Sequence, residues 1–129
     1  MSDFPKELKY SKEHEWVKEV DGKYLVGITE YAAEQLGDIV HVELPEQDAE
    51  FGMGETFGVV ESVKSVSDVY MPLAGKIVEI NSLLADNPGV MNEEPYGEGW
   101  MVKVDATELD DLEQLMSADA YKSFLAEEH

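Results

Sequence analysis

Lys64 is the residue here with the clearest chemical potential. Between Lys23 and Lys76 it is the only lysine, in an interval that holds ten carboxylates and no arginine. It lies within Gly58-Val59-Val60-Glu61-Ser62-Val63-Lys64-Ser65-Val66-Ser67-Asp68-Val69-Tyr70-Met71-Pro72. This stretch reads as two β-rich runs meeting at a polar tip, with Val59, Val60 and Val63 leading in and Val66, Val69 and Tyr70 leading out. Most lysines on turns are simply solvated, and isolation among acids makes this one a candidate for more. A Schiff-base enzyme would need the amine pKa lowered by desolvation or neighbouring cations. Carboxylates on every side work the other way.

Other reactive types fall short of a catalytic set. His14-Glu15 has no second histidine at helical spacing and sits in a strand-like run, so it is no metalloprotease signature. His41 reads as a strand surface residue. There is no nucleophile–base pair and no phosphate-cradling glycine loop, which points away from an independent enzyme, and no metal ligand set is expected.

Composition narrows the classes further. The 129 residues carry 29 acids against nine bases, all lysine, for a net charge of −20. Phosphate-rich partners are repelled, and without arginine bidentate phosphate clamps are missing, so neither nucleic acid nor an anionic membrane is an expected partner. The chain has no cysteine, which removes disulfides, thiolate zinc sites and thiol nucleophiles. A hydrophobic content of 43% suits one globular domain spanning 1–129. Met1 to Tyr10 has neither an apolar signal core nor transit-peptide character. A cytoplasmic protein is expected, or one of the mitochondrial matrix if the chain is a mature eukaryotic one.

The elements that must position Lys64 are mostly strands. His14 to Val20 and Tyr24 to Ile28 flank Asp21-Gly22, a tight-turn signal. Thr29 can cap a helix over Glu30 to Leu36, stopped by Gly37. Alternation over Ile39 to Leu44 places Val40, Val42 and Leu44 on one face and His41 and Glu43 on the other. After the hairpin, Pro72-Leu73-Ala74-Gly75 turns the chain; Val78 and Ile80 then share a face opposite Glu79. Asn81 to Asn92 holds a helical turn broken at Pro88-Gly89, and Trp100, Val102 and Val104 alternate as a strand. Trp16 and Trp100 read as core. Thr107 with Asp110 resembles a capping box before a Leu109, Leu112, Met116 stripe, and Ser117 can cap a last helix carrying Tyr121, Phe124 and Leu125. The core thus occupies about 8–105, with a helical segment over about 107–126. Gly37-Asp38-Ile39-Val40-His41-Val42 is echoed by Gly75-Lys76-Ile77-Val78-Glu79-Ile80. The echo fits two similar β halves facing each other across one core.

With Glu61-Ser62-Val63-Lys64-Ser65, then Ser67-Asp68-Val69-Tyr70 and Pro72-Leu73-Ala74-Gly75, the chain resembles the H proteins of the glycine cleavage system. The likeness extends through Tyr10, His14-Glu15-Trp16-Val17, Gly27-Ile28-Thr29, Leu36-Gly37-Asp38, Val42-Glu43-Leu44-Pro45, Asn81, Pro95-Tyr96 and Gly99-Trp100, from about Leu8 to Phe124. Sibling carriers differ at the tip: biotin carriers typically place Met on both sides of the lysine, and lipoyl domains of 2-oxo acid dehydrogenases place Asp before and Ala after. Asp48 departs from the family, where Gly is more usual, and bears on local turn geometry only.

The resemblance implies a mainly β, lipoyl-type flattened sandwich or barrel of two similar halves, with short helices including C-terminal ones. It implies covalent lipoate on Lys64 and a non-catalytic carrier role. The arm would take an aminomethyl group at a pyridoxal-phosphate glycine decarboxylase and visit a tetrahydrofolate aminomethyltransferase. A dihydrolipoyl dehydrogenase would reoxidise it, and a lipoyl ligase or transferase would attach it. Donation of lipoate to other carriers is the alternative role. Glu61, Ser62, Val63 and Ser65 would present the tip, with Gly75 allowing the turn that poses it. Glu15 and Asp68 could line a groove for the cationic aminomethyl end, whereas Glu13, the third acid considered there, reads rather as part of a solvated acidic face.

Overall fold

Asp21 and Gly22 adopt positive φ, 52° and 81°, so they form the primed turn whose twist matches that of flanking strands. This turn joins β2 (Glu15–Val20) to β3 (Lys23–Ile28) in unbroken antiparallel register from Glu15↔Ile28 to Val20↔Lys23. The computed structural model describes residues 5–128. Thr29 then caps α1 (Glu30–Leu36), its hydroxyl accepting the Ala32 N–H, and Gly37 at φ 81° ends the helix.

The other strands are β1 (Lys9–Tyr10), β4 (Ile39–Glu43), β5 (Glu50–Phe51), β6 (Thr56–Ser62), β7 (Val66–Tyr70), β8 (Gly75–Ile80) and β9 (Val102–Ala106). They form a six-stranded sheet ordered β1-β2-β3-β9-β8-β5 and a three-stranded sheet ordered β4-β6-β7. Inward residues of both sheets, among them Val26, Val60, Ile77, Val102 and Val104, join one apolar cluster. Two one-turn helices, α2 (Leu83–Asp86) and α3 (Val90–Glu93), flank the Pro88-Gly89 break and add Leu84 and Met91 to that cluster. The protein is mainly β with two sheets and short helices, as the resemblance implies.

The internal echo has a structural meaning that period-2 alternation does not convey. Pairing runs Ile39↔Ser62, His41↔Glu61, Val42↔Val60 in one half and Ile77↔Val104, Glu79↔Lys103, Ile80↔Val102 in the other. Each half therefore carries a β-bulge at the same place, leaving Val40 and Val78 unpaired. An extra residue reverses side-chain parity. The expected faces are corrected accordingly: Ile39 and Val42 are buried while Val40 is 52% exposed, and Ile77, not Val78, is the core residue of β8.

Beyond β9 a 3-10 helix (Leu109–Gln114) replaces the capping-box start. It has no side-chain cap from Glu108, and Asp111 instead accepts the Ala74 N–H at 2.8 Å. Leu112 packs on the main core and Met116 on a second one, while the Leu109 side chain lies outside the described residues. Ser117 caps α4 (Ala118–Glu128) by accepting the Ala120 N–H. That helix joins Leu8, Tyr10 and Trp16 in the second cluster through Ala118, Tyr121 and Leu125. Trp16 is fully buried, its Nε1–H donating to Pro95 O; Trp100 is half-buried against the same cluster and precedes β9 rather than starting it.

Candidate functional site

The β6–β7 connection is the three-residue tip Val63-Lys64-Ser65. Ser62 orders it. Its N–H donates to Ser65 O at 2.8 Å, and its Oγ accepts from the N–H groups of Ser65 at 3.0 Å and Lys64 at 3.3 Å. The tip is also anchored sideways, because Val63 N–H donates to Asp38 O at 3.0 Å. Asn92 in α3 fixes that anchor from both sides, donating to Gly37 O at 2.8 Å and accepting from Ile39 N–H at 2.9 Å. Sequence reasoning missed Asn92, whose bonds reach 53 and 55 residues along the chain and leave no local signal.

Lys64 is exposed, and Val63 and Val66 on either side of it are 70% and 66% exposed. A β-carbon built on Gly37 would lie 3.4 Å from Lys64 Cε, so the lysine stem lies over the end of α1. Among the described residues no carboxylate stands within ion-pair distance of its Nζ.

A groove of about 290 Å³ opens between α1 and β7, one of the two edge strands of the smaller sheet. Glu13, Glu15 and Asp68 all line it, as do Tyr31, Gln35 and Ser67. Glu15 and Asp68, far apart in sequence, are thereby brought to one cavity. Asp68 has outward parity, shared with Glu61, and meets the groove at the open edge of β7. Ser67 pairs with the buried Val60 and is the inward residue at that level, a role alternation could have found.

Glu15 is 2% exposed. Its carboxylate accepts the Tyr70 N–H at 3.2 Å and the Ser11 hydroxyl, while Ser11 Oγ accepts the Glu15 N–H. Burial pushes its pKa up to about 7, opposed by the bonds from Ser11 and Tyr70 and reinforced by the charge of Glu13. Near neutral pH this carboxyl can therefore donate or accept. A second cavity of about 270 Å³, lined by Ser11, Met53, Tyr70, Met71 and Leu115, adjoins it on the side of β1. His14 also borders the groove with φ at 71°. Its Nδ1 is 2.8 Å from Tyr121 Oη, which lies 2.8 Å from Thr29 Oγ1, so α4 braces the groove wall and the cap of α1 together.

Gly75 is placed elsewhere. It stands in β8 beyond the full length of β7 from the tip, and its φ is not positive. A β-carbon there would overlap Val104 Cγ1 and come 2.6 Å from Asp105 O. Its constraint is close packing of β8 on β9, and the expectation that it permits a turn posing Lys64 is corrected on that ground.

A lone lysine on an ordered tip, above a half-open groove and on a β-sandwich of two matching halves, defines a carrier domain of the lipoyl type. The sequence profile of the family described as "Glycine cleavage H-protein" matches residues 8–128. The "Glycine cleavage system H protein" of Staphylococcus epidermidis is 56% identical over 123 residues, covering 95% of this chain and 98% of that one. Its namesake from Halalkalibacterium halodurans is 53% identical over 128 residues, covering 99% and 100%. The crystal structure of a glycine cleavage system H protein from Mycobacterium marinum superposes with a TM-score of 0.89 at 38% identity, covering 95% and 99%. The chain belongs to the glycine cleavage H-protein family.

Proposed function

We propose that Lys64 carries an amide-linked lipoyl group and that the chain shuttles the aminomethyl group of glycine between the components of the glycine cleavage system. These are the pyridoxal-phosphate decarboxylase, the tetrahydrofolate aminomethyltransferase and the dihydrolipoyl dehydrogenase. The observation that carries this reading is the pose of Lys64, exposed and without an ion-pair partner among the described residues, on a tip fixed by Ser62 and Asp38 and with its stem directed over Gly37. The lipoyl group, when attached, supplies the redox-active disulfide that a chain without cysteine lacks.

The chain's own residues do the rest. Ser62 and the Val63–Asp38 bond hold the backbone in one shape for a lipoyl ligase or transferase, with Glu61 and Ser65 beside it. Amide formation removes the Lys64 charge. Glu15 and Asp68 then offer carboxylates to a cationic amine in the groove, where hydrogen bonding to charge is stronger than to a neutral group. The bacterial relatives and the net charge of −20 support a cytoplasmic setting.

Intact mass of protein from a lipoate-competent host tests the proposal. It should rise by one lipoyl group less water, and Lys64→Ala or Lys64→Arg should abolish the rise. Modification mapping to Lys76, or an increment the size of biotin, would overturn it.

A further inference from the structure

The two halves of the sandwich differ at one matched position. In the half formed by β8 and β9, the cross-strand pair after the bulge is Glu79↔Lys103, and the two side chains form an ion pair at 3.8 Å. The equivalent pair in the half formed by β4 and β6 is His41↔Glu61. No lysine is supplied there, and a second carboxylate, Glu43, has the same outward parity two residues along β4. One ligand atom each from His41, Glu43 and Glu61 lie within 4.8 Å of one another. Ion pairs among the described residues join Lys23 to Asp105, Lys76 to Asp48 and Lys103 to Glu79, and none reaches this trio. Glu61 faces His41 directly, and Glu43, which pairs with Val59, is its diagonal neighbour within reach of a long side chain.

We propose that His41, Glu43 and Glu61 bind a divalent transition cation of the zinc class, in the place that Lys103 fills in the matching half. An imidazole with two carboxylates is a donor set for Zn²⁺, Ni²⁺ or Cu²⁺, whereas Mg²⁺ and Ca²⁺ favour oxygen alone. Three protein donors on exposed strands leave further positions to water, as in open zinc sites. The ladder fixes two of the donors directly opposite each other, and the Val40 bulge sets the parity that turns His41 outward. Sequence patterns give no sign of the site because its donors come from strands 18 residues apart and not from a local motif. Occupancy would cancel the two carboxylate charges beside the Lys64 tip, changing the face that a partner meets.

The test uses the full chain carrying Lys64→Arg, so that its outcome is independent of lipoylation. Calorimetric titration with Zn²⁺ should show one saturable site, and of the imidazoles of His14, His41 and His129 only that of His41 should shift in nitrogen-resolved NMR. His41→Ala should weaken binding at least about tenfold, the scale on which even outer-shell changes act. His41→Lys, which copies the Glu79–Lys103 arrangement, should abolish it. These positions are largely exposed, so folding is checked by unchanged circular dichroism. Equal affinity in His41→Ala, a shift confined to His14 or His129, or no saturable site would overturn the proposal.

Discussion

Replacing Glu15 by Gln should change the slope of stability against pH more than stability itself. The amide keeps an oxygen for Tyr70 N–H, and its NH2 can donate to Ser11 Oγ in reversal of the parent's bond, so shape and contacts are retained. What disappears is titration. A buried carboxyl raised from 4.5 to about 7 binds a proton in the folded state over a range where the unfolded chain has released it. Stability then falls as pH rises through that window, by on the order of 3 kcal/mol in all. The loss begins near pH 4.5 and is complete somewhat above 7. Urea unfolding of parent and variant at pH 5, 6, 7 and 8 isolates the effect, because the remaining carboxylates cancel in the difference. Relative to Glu15→Gln, the parent should lose roughly 2–3 kcal/mol between pH 5 and pH 8. A difference that does not vary with pH, or that grows in the parent's favour, would refute the assignment of a buried, raised carboxyl.

Glu15→Ala combined with Asp68→Ala should speed formaldehyde release from aminomethyl-loaded protein while leaving lipoylation largely intact; an unchanged rate would remove both carboxylates from the site that shelters the loaded arm. Asn92→Ala removes the clamp on Gly37 and Ile39 and should cost about 2 kcal/mol, with faster amide exchange at Val63 as the direct readout of a loosened tip. Gly75→Val forces a side chain into Val104 and the Asp105 carbonyl and should cost about 3 kcal/mol or more. The lipoylation rate of its folded fraction should nevertheless match the parent's, since the tip is remote.

The parts of the fold governed by neighbours in sequence were the legible ones. Asp21-Gly22, Thr29, Gly37 and Ser117 each do what a turn or cap residue of that type does, because those bonds close within four residues. The isolation of Lys64 at a turn was visible for the same reason. Face assignments failed at Val40 and Val78, where a bulge depends on how the partner strand pairs and no single-strand pattern records it. The buried state of Glu15 was equally hidden. Its surroundings come from Ser11, Tyr70 and the cavities beside β7, which only the assembled sheets bring together. Asn92 and Tyr121 act across 53 or more residues and leave no local trace.

The anchored tip has a consequence for how weak the groove can be. Standard bond lengths give a lipoyl-lysine arm a reach of about 14 Å. Pivoting from a point held by Ser62 and Asp38, its end is confined to a half-sphere of that radius, an effective concentration on the order of 0.1 M. A groove whose intrinsic dissociation constant is only about 10 mM would then hold the loaded end roughly nine-tenths of the time. Two carboxylates and a few apolar contacts suffice for that. Such a site shelters its cargo without competing seriously against the active site of an enzyme that must take the cargo out.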